Sequence, residues 1–204
     1  HADLWGTRSA KDAYLNTNDI KSTQWVEIKP TAPFFLFKPQ DLSLQKEYEA
    51  GWKITDIMPA NSTGIKTHRD HFVLDFDKKM LYQRISEFKN LAVSDSEIIK
   101  KYDLKDTRDW KIASCRKKLS EQENWELFFT KCLYRPFDLL HYFHHKEVVE
   151  LPRNEVMRHM LNGDNLALST TRSIEINRGW EHIFCTNQLI QHHTVSLKEV
   201  NYLF

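Results

Sequence analysis

The order of apolar runs and chain breakers along these 204 residues predicts an α+β fold, with mixed, mainly antiparallel short strands and several helices packed around them. Three observations carry this. The β-forming runs are short and bounded by Pro, Gly or polar clusters. Helical spacing of apolar residues is concentrated in the middle of the chain. Strands and helices follow one another irregularly, with no βαβ alternation and no internal repeat.

Taken in order, residues 8–15 predict a short helix with Ser9 as its cap. Residues 24–28 (QWVEI) and 34–37 (FFLF) predict strands, separated by Pro30 and Pro33 and closed by Pro39. Residues 42–50 predict a helix or helical turn ended by Gly51. A polar stretch, 61–70, has no period and reads as a loop, and 72–76 (FVLDF) reads as a strand. Met80, Leu81, Ile85 and Phe88 have helical spacing, so 78–88 predicts a helix. Residues 94–102, capped by Ser94, predict the next, and 107–118 a third whose acidic start suits the positive end of a helix dipole. Beyond residue 120 the chain turns to β-forming runs: 125–134, 139–143, 166–171, 182–186 and 194–197, with a helix over 153–161 and a turn at 163–165. The final NYLF reads as part of a strand. The expectation is a single domain over 1–204, with room for two lobes at about 1–120 and 121–204. His1 in place of Met and the strand at the other end read as cuts in a longer polypeptide.

An apolar fraction of 41% is enough to build a core, and 12% aromatics make part of that core bulky and flat. The net charge of +1 gives no global drive toward nucleic acid. Basic residues nevertheless cluster at 66–69, 78–89 and 111–118, and acidic ones at 41–49, 70–77 and 95–109. Cys115, Cys132 and Cys185 are odd in number and widely spaced, which supports neither a zinc ribbon nor a disulfide framework and points to a reducing, cytoplasmic setting. No apolar run approaches the roughly 20 residues that span a bilayer, and no apolar signal segment opens the chain.

Several activities lack their signatures. Five glycines, none in G-x-G, offer no cofactor loop; no Pro-Pro turn and no P-loop is present. Asp75, Asp77 and Lys79 resemble half of a metal-dependent nuclease core, but Asp70 lies too close to supply the upstream acid. His144-His145 and His192-His193 point to opposite faces if extended, so surface or phosphate-contacting histidines are preferred over a metal site. No catalytic residue and no metal ligand is assigned.

A binding surface remains. The stretch 131–160 interleaves cations, histidines and aromatics. Lys66, Thr67 and Arg69 sit on a polar loop, with Asp70 placed to orient Arg69 or to form a plain surface ion pair. Arg135 opens a tight Arg-Pro-Phe-Asp turn, where it reaches a phosphate or clamps Asp138. Arg153 starts a helix; Arg158 lies round the other side, spaced to bond Glu155. Arg172, Glu175, Asn177 and Arg178 are of the types that read base edges, though a solvated hairpin would have the same composition.

Short stretches then add up to a resemblance that covers nearly the whole chain. They are Gly6-Thr-Arg8 with Lys11 and Tyr14, the run 33–37, the run 61–70, Tyr134-Arg-Pro-Phe-Asp138, Pro152-Arg153 with Val156-Met157, and Ile183-Phe184 before Leu189-Ile190. In this order they resemble the C-terminal specificity domain of Type ISP restriction–modification enzymes. The resemblance implies a parent with nuclease, helicase-like ATPase, coupling and N6-adenine methyltransferase parts, using S-adenosylmethionine, ATP and Mg, while this domain needs no cofactor. It implies double-stranded DNA and the methyltransferase of the same polypeptide as partners, and no membrane. One departure follows Asp138, where an Arg is expected and Leu139-Leu140-His141 stand. The mechanism expected is major-groove readout by 169–178, with phosphates held by Lys66, Arg69, Arg135 and Arg153. The alternatives are a nuclease centred on Asp75 and Asp77, and a protein-docking domain that does not read DNA.

Overall fold

The computed structural model describes residues 1–32, 34–173 and 182–204, and it divides the chain into two compact units, His1–Trp52 and Lys53–Phe204.

The first unit holds helix α1 (Arg8–Thr17) and the short α2 (Gln45–Glu49). Thr7, one position before the helix, caps α1 by accepting from the Ala10 amide at 3.3 Å, in place of the expected Ser9. Neither expected strand forms. Val26 exchanges two backbone bonds with His1, at 2.8 and 2.9 Å, and the run from Phe34 is a turn with Phe35 at φ 47°. The reason is pairing: a β-former becomes a strand only against a partner, and prolines remove ladder donors on this stretch. None of the described residues of this unit is buried.

The second unit builds two four-stranded sheets. Its elements are α3 (Ile54–Ile57), β1 (Ser62–Thr63), α4 (Asp70–Val73), β2 (Leu74–Asp75), α5 (Lys78–Lys89), α6 (Asp95–Tyr102), α7 (Ile112–Ser120), a 3-10 turn (Trp125–Phe128), β3 (Phe129–Arg135), β4 (Asp138–Phe143), α8 (Asn154–Met157), β5 (Ala167–Thr171), β6 (Ile183–Thr186), β7 (Leu189–Ile190) and β8 (Asn201–Leu203). One sheet runs β2-β4-β3-β7, antiparallel except for β3 with β7; the other runs β1-β8-β5-β6 and is antiparallel throughout. The mainly antiparallel α+β expectation holds. Residue 120 lies inside this unit, and the first sheet takes strands from both sides of it.

Helix α5 lays Leu81, Ile85 and Phe88 into the core along one stripe, and Phe88 meets Phe72 edge-on at 5.0 Å. A capping box of Ser94 and Glu97 starts α6, and Asp103 ends it in the left-handed region. The third central helix begins later than expected. Thr107 and Trp110 close a turn on each other, and Asp106 accepts from the Ile112 amide at 2.9 Å, so the acidic stretch caps α7 from outside. Arg116 of α7 is 1% exposed and donates to the carbonyls of Phe88, Asn90 and Val93 and to Asp95, tying three helices together.

Further elements differ from the sequence expectation. The expected strand over 72–76 starts as a helical turn because the Arg69 carbonyl takes the amides of both Phe72 and Val73. The long run 125–134 is strand only from Phe129, since Trp125 is folded into a 3-10 turn against Tyr82 and Phe129. The helix over 153–161 is one α-turn followed by further turns. Residues 194–197 are not a strand; Thr194 and Val195 bond to Gln191 and the Asn201 side chain instead. At 72–76 and 194–197 local turn bonds, and at 125–128 an aromatic contact, override strand propensity.

Candidate nucleic-acid interface

The two sheets meet where three chain segments cross. β1 runs on through Gly64 into Ile65, which pairs parallel with Gln191, while Lys66 pairs antiparallel with Leu151. The His192 amide donates to the Ile65 carbonyl at 2.8 Å, and Lys66 and Leu151 exchange bonds of 3.1 and 2.9 Å. Gly64 is required here: a Cβ would fall 2.6 Å from the Gln191 carbonyl oxygen.

This crossing gathers cations. Lys66 is half-buried on the first segment. Arg153, two residues beyond Leu151, sits at φ 55° before α8. Its Nε is buried without a hydrogen-bond partner, and its Nη1 is 4.0 Å from the exposed carboxylate of Glu155. His192 has a buried Nδ1 without a partner. Burial first, then His193, Lys66 and Arg153, hold the His192 imidazole below its ordinary range, opposed by the Gly64 backbone. Arg135 lies alongside. Its guanidinium stacks 4.1 Å over the Tyr134 ring and donates to the carbonyls of Tyr134 and His193 at 2.7 and 3.1 Å. Among the described residues no ion pair joins Arg135 to Asp138, so the clamp considered for that turn is replaced by these carbonyl bonds.

Lys66, Arg135 and Arg153 therefore come together, while Thr67 and Arg69, expected on an open loop, are buried and bonded within the fold. Thr67 is 1% exposed; its hydroxyl bonds Asp70 and accepts from the Arg69 amide at 3.1 Å. Arg69 is 4% exposed, stacked 3.7 Å over the Trp110 ring, with Nη1 donating to the carbonyls of Thr67 and Val148. The stretch 61–70 is no free loop but a strand, a crossing and a closed turn, which turns Arg69 inward. His68, at φ 56°, holds Glu150 at 2.6 Å, so that carboxylate is already engaged.

His144 and His145 are also buried, contrary to the expected surface placement. His144 Nε2 is 2.7 Å from Asn154 Oδ1, and Nδ1 of His145 accepts from the Glu147 amide at 3.3 Å. Asp75 pairs with Arg84 at 2.5 Å, and Asp77 caps α5 through the Lys79 amide at 2.7 Å. Both acids thus have local structural partners, and Lys79 lies on a helix rather than a strand.

Arg172 follows β5 directly and is exposed, beside Ser173, whose hydroxyl donates to Glu199 at 2.8 Å. Glu175, Asn177 and Arg178 lie outside the described residues. Elsewhere, the paired positions Lys131 and His141 open with Lys78 and Gln188 onto a shallow groove of about 300 Å³. Sequence reading missed the proximity of His192 to Lys66 and Arg153. The only local signal was the doublet after the apolar pair Leu189-Ile190.

Comparison with known proteins bears on the family resemblance; the stretches at 6–14 and 33–37 lie outside the matched residues. No curated protein matches the chain. A cryoEM structure of a DrdV–DNA complex superposes with a TM-score of 0.60 at 17% identity, over 98% of this chain and 21% of that one. A nuclease-deletion mutant of the Type ISP restriction-modification enzyme LlaGI, in complex with a DNA substrate mimic, gives 0.58 at 15% identity, over 97% of this chain and 17% of that one. These likenesses show the fold, and the chain spans about a fifth of the length of those proteins. The model of the Type ISP C-terminal specificity domain matches residues 56–204, nearly the whole of the second unit, and the chain belongs to that family.

Proposed function

We propose that this chain reads sequence in double-stranded DNA and presents the target site to an adenine methyltransferase carried in the same polypeptide. The observation that supports this most is the crossing that brings the cations Lys66, Arg135 and Arg153 beside His192 in a domain of a specificity family. Two solved proteins of the same fold are described in complex with DNA or a DNA mimic. Phosphates fix the register of the duplex at the crossing, and Arg172 with the segment after it reads base edges. The domain itself contributes no catalytic group; S-adenosylmethionine, ATP and Mg serve the other parts of the parent. The site of action is the cytoplasm, and no helix among the described residues is long and apolar enough to cross a membrane.

The test is a salt titration of binding to random-sequence duplex, first with this chain and then with the methyltransferase attached. The expected result is weak binding by the chain alone, falling linearly in log–log form with a slope of about −0.9 per phosphate contacted. Affinity without salt dependence would refute the cationic face.

A second reading has one observation in its favour. Residues 1–52 leave Trp5 83%, Phe34 77%, Phe37 77%, Tyr48 86% and Trp52 88% exposed. Such apolar surface suits docking against another part of the parent. Binding of duplex only by the methyltransferase-linked form, with salt dependence unchanged by Lys66→Ala, would favour docking over reading.

A further inference from the structure

We infer that Lys66, Arg153 and His192 form a seat for one phosphate group, with Arg153 as its defining residue; the assignment of that phosphate to a duplex backbone rests on the DNA-reading proposal above.

The geometry comes from the backbone. Lys66 is bridged to Leu151, Arg153 follows two residues later, and the His192 amide is bonded to Ile65 beside Lys66. Strand pairing, rather than flexible side-chain reach, sets the three together. One donor there is left over, and one imidazole nitrogen lies beside it with only the Gly64 backbone near it. Arg153 Nε and His192 Nδ1 are buried and have no hydrogen-bond partner, a state that folded proteins generally avoid unless a ligand or water completes it. Arg153 is also held at φ 55°, a conformation that Gly or Asn adopts more easily. The chain keeps a long cationic side chain where the backbone disfavours it.

The nearby acids do not neutralise the cluster. Glu155 is 58% exposed and 4.0 Å from Nη1, a contact weakened by solvent, while Glu150 is engaged by His68 at 2.6 Å. A phosphate fits this donor set. Its oxygens accept the planar Nε–Nη fork of Arg153 and an imidazole N–H, and Lys66 adds charge without a fixed direction. The positive neighbours that, after burial, lower the His192 imidazole are the same ones that attract the anion.

The test has two arms and uses the whole chain. In the first, inorganic phosphate is titrated while the His192 ring resonances are followed by NMR. A saturable shift is expected, absent in Arg153→Gly; the glycine removes the guanidinium and suits φ 55°, so the variant should unfold no earlier than the parent chain. In the second, duplex binding is measured against salt. Arg153→Gly, and separately Lys66→Met, should each lower the slope of log affinity against log salt by about 0.9. His192 resonances that ignore phosphate would overturn the seat. Duplex binding with an undiminished slope in both variants would overturn it while leaving the DNA reading intact. If neither the chain nor its parent binds duplex, the DNA reading fails and the backbone assignment fails with it.

Discussion

Gly64 and Arg69 show what single residues contribute. Gly64 lets two backbones cross, and Gly64→Ala would drive a Cβ into the Gln191 carbonyl from 2.6 Å. Backbone on the far side cannot yield cheaply, so a loss of about 1–3 kcal/mol in urea unfolding is expected, and an unchanged midpoint would mean the crossing is loose. The buried histidines give a pH dependence. Burial holds His144 and His145 below the ordinary imidazole range, opposed by Asn154 for the first and by Glu147 for the second. The unfolded chain takes up these protons near pH 6.5, the folded chain only at lower pH, so acidification through that window favours unfolding. The urea midpoint should therefore fall between about pH 7.5 and about pH 5.5, and a rise would contradict the burial of these rings. Arg69 was legible in the sequence as a cation but not as a buried one. Its stacking on Trp110 depends on a residue 41 positions away, and nothing local to 66–70 signals it.

At the scale of elements, the central helices were the most legible part. α5 has an acid at its cap and a clean apolar stripe, and α6 carries both halves of its capping box within four residues, so local chemistry decides them. Strands were legible where a partner follows closely, as in β3 and β4, and misread at 24–28 and 34–37, where the first unit forms no sheet. The Asp-x-Lys pattern at 77–79 has a structural account as a helix start. Asp77→Ala should cost about 1 kcal/mol of stability through the lost cap and leave any DNA cleavage by the proposed parent enzyme unchanged. Loss of cleavage with stability intact would restore the nuclease alternative.

For the whole molecule, the fold class could be read from short bounded β-forming runs and helical apolar spacing, and the family from a set of short motifs in order. The candidate site could be read only in part. Its pieces at 64–66, 151–153 and 190–193 are far apart in sequence and meet only through sheet edges. Lys66, Arg135 and Arg153 were found as single cations; that they share a crossing with His192 is a property of topology. The near-zero net charge follows the same logic, since a local cationic face is compatible with acids spread elsewhere. The central claim is that this cationic crossing and the exposed Arg172 serve sequence readout. It is tested most directly by selecting bound duplexes from a random pool with the methyltransferase-linked chain, and repeating the selection with Arg172→Ala. The account predicts enrichment of one target sequence, relaxed at a single base pair by the variant. Duplex binding with no sequence enriched would contradict it.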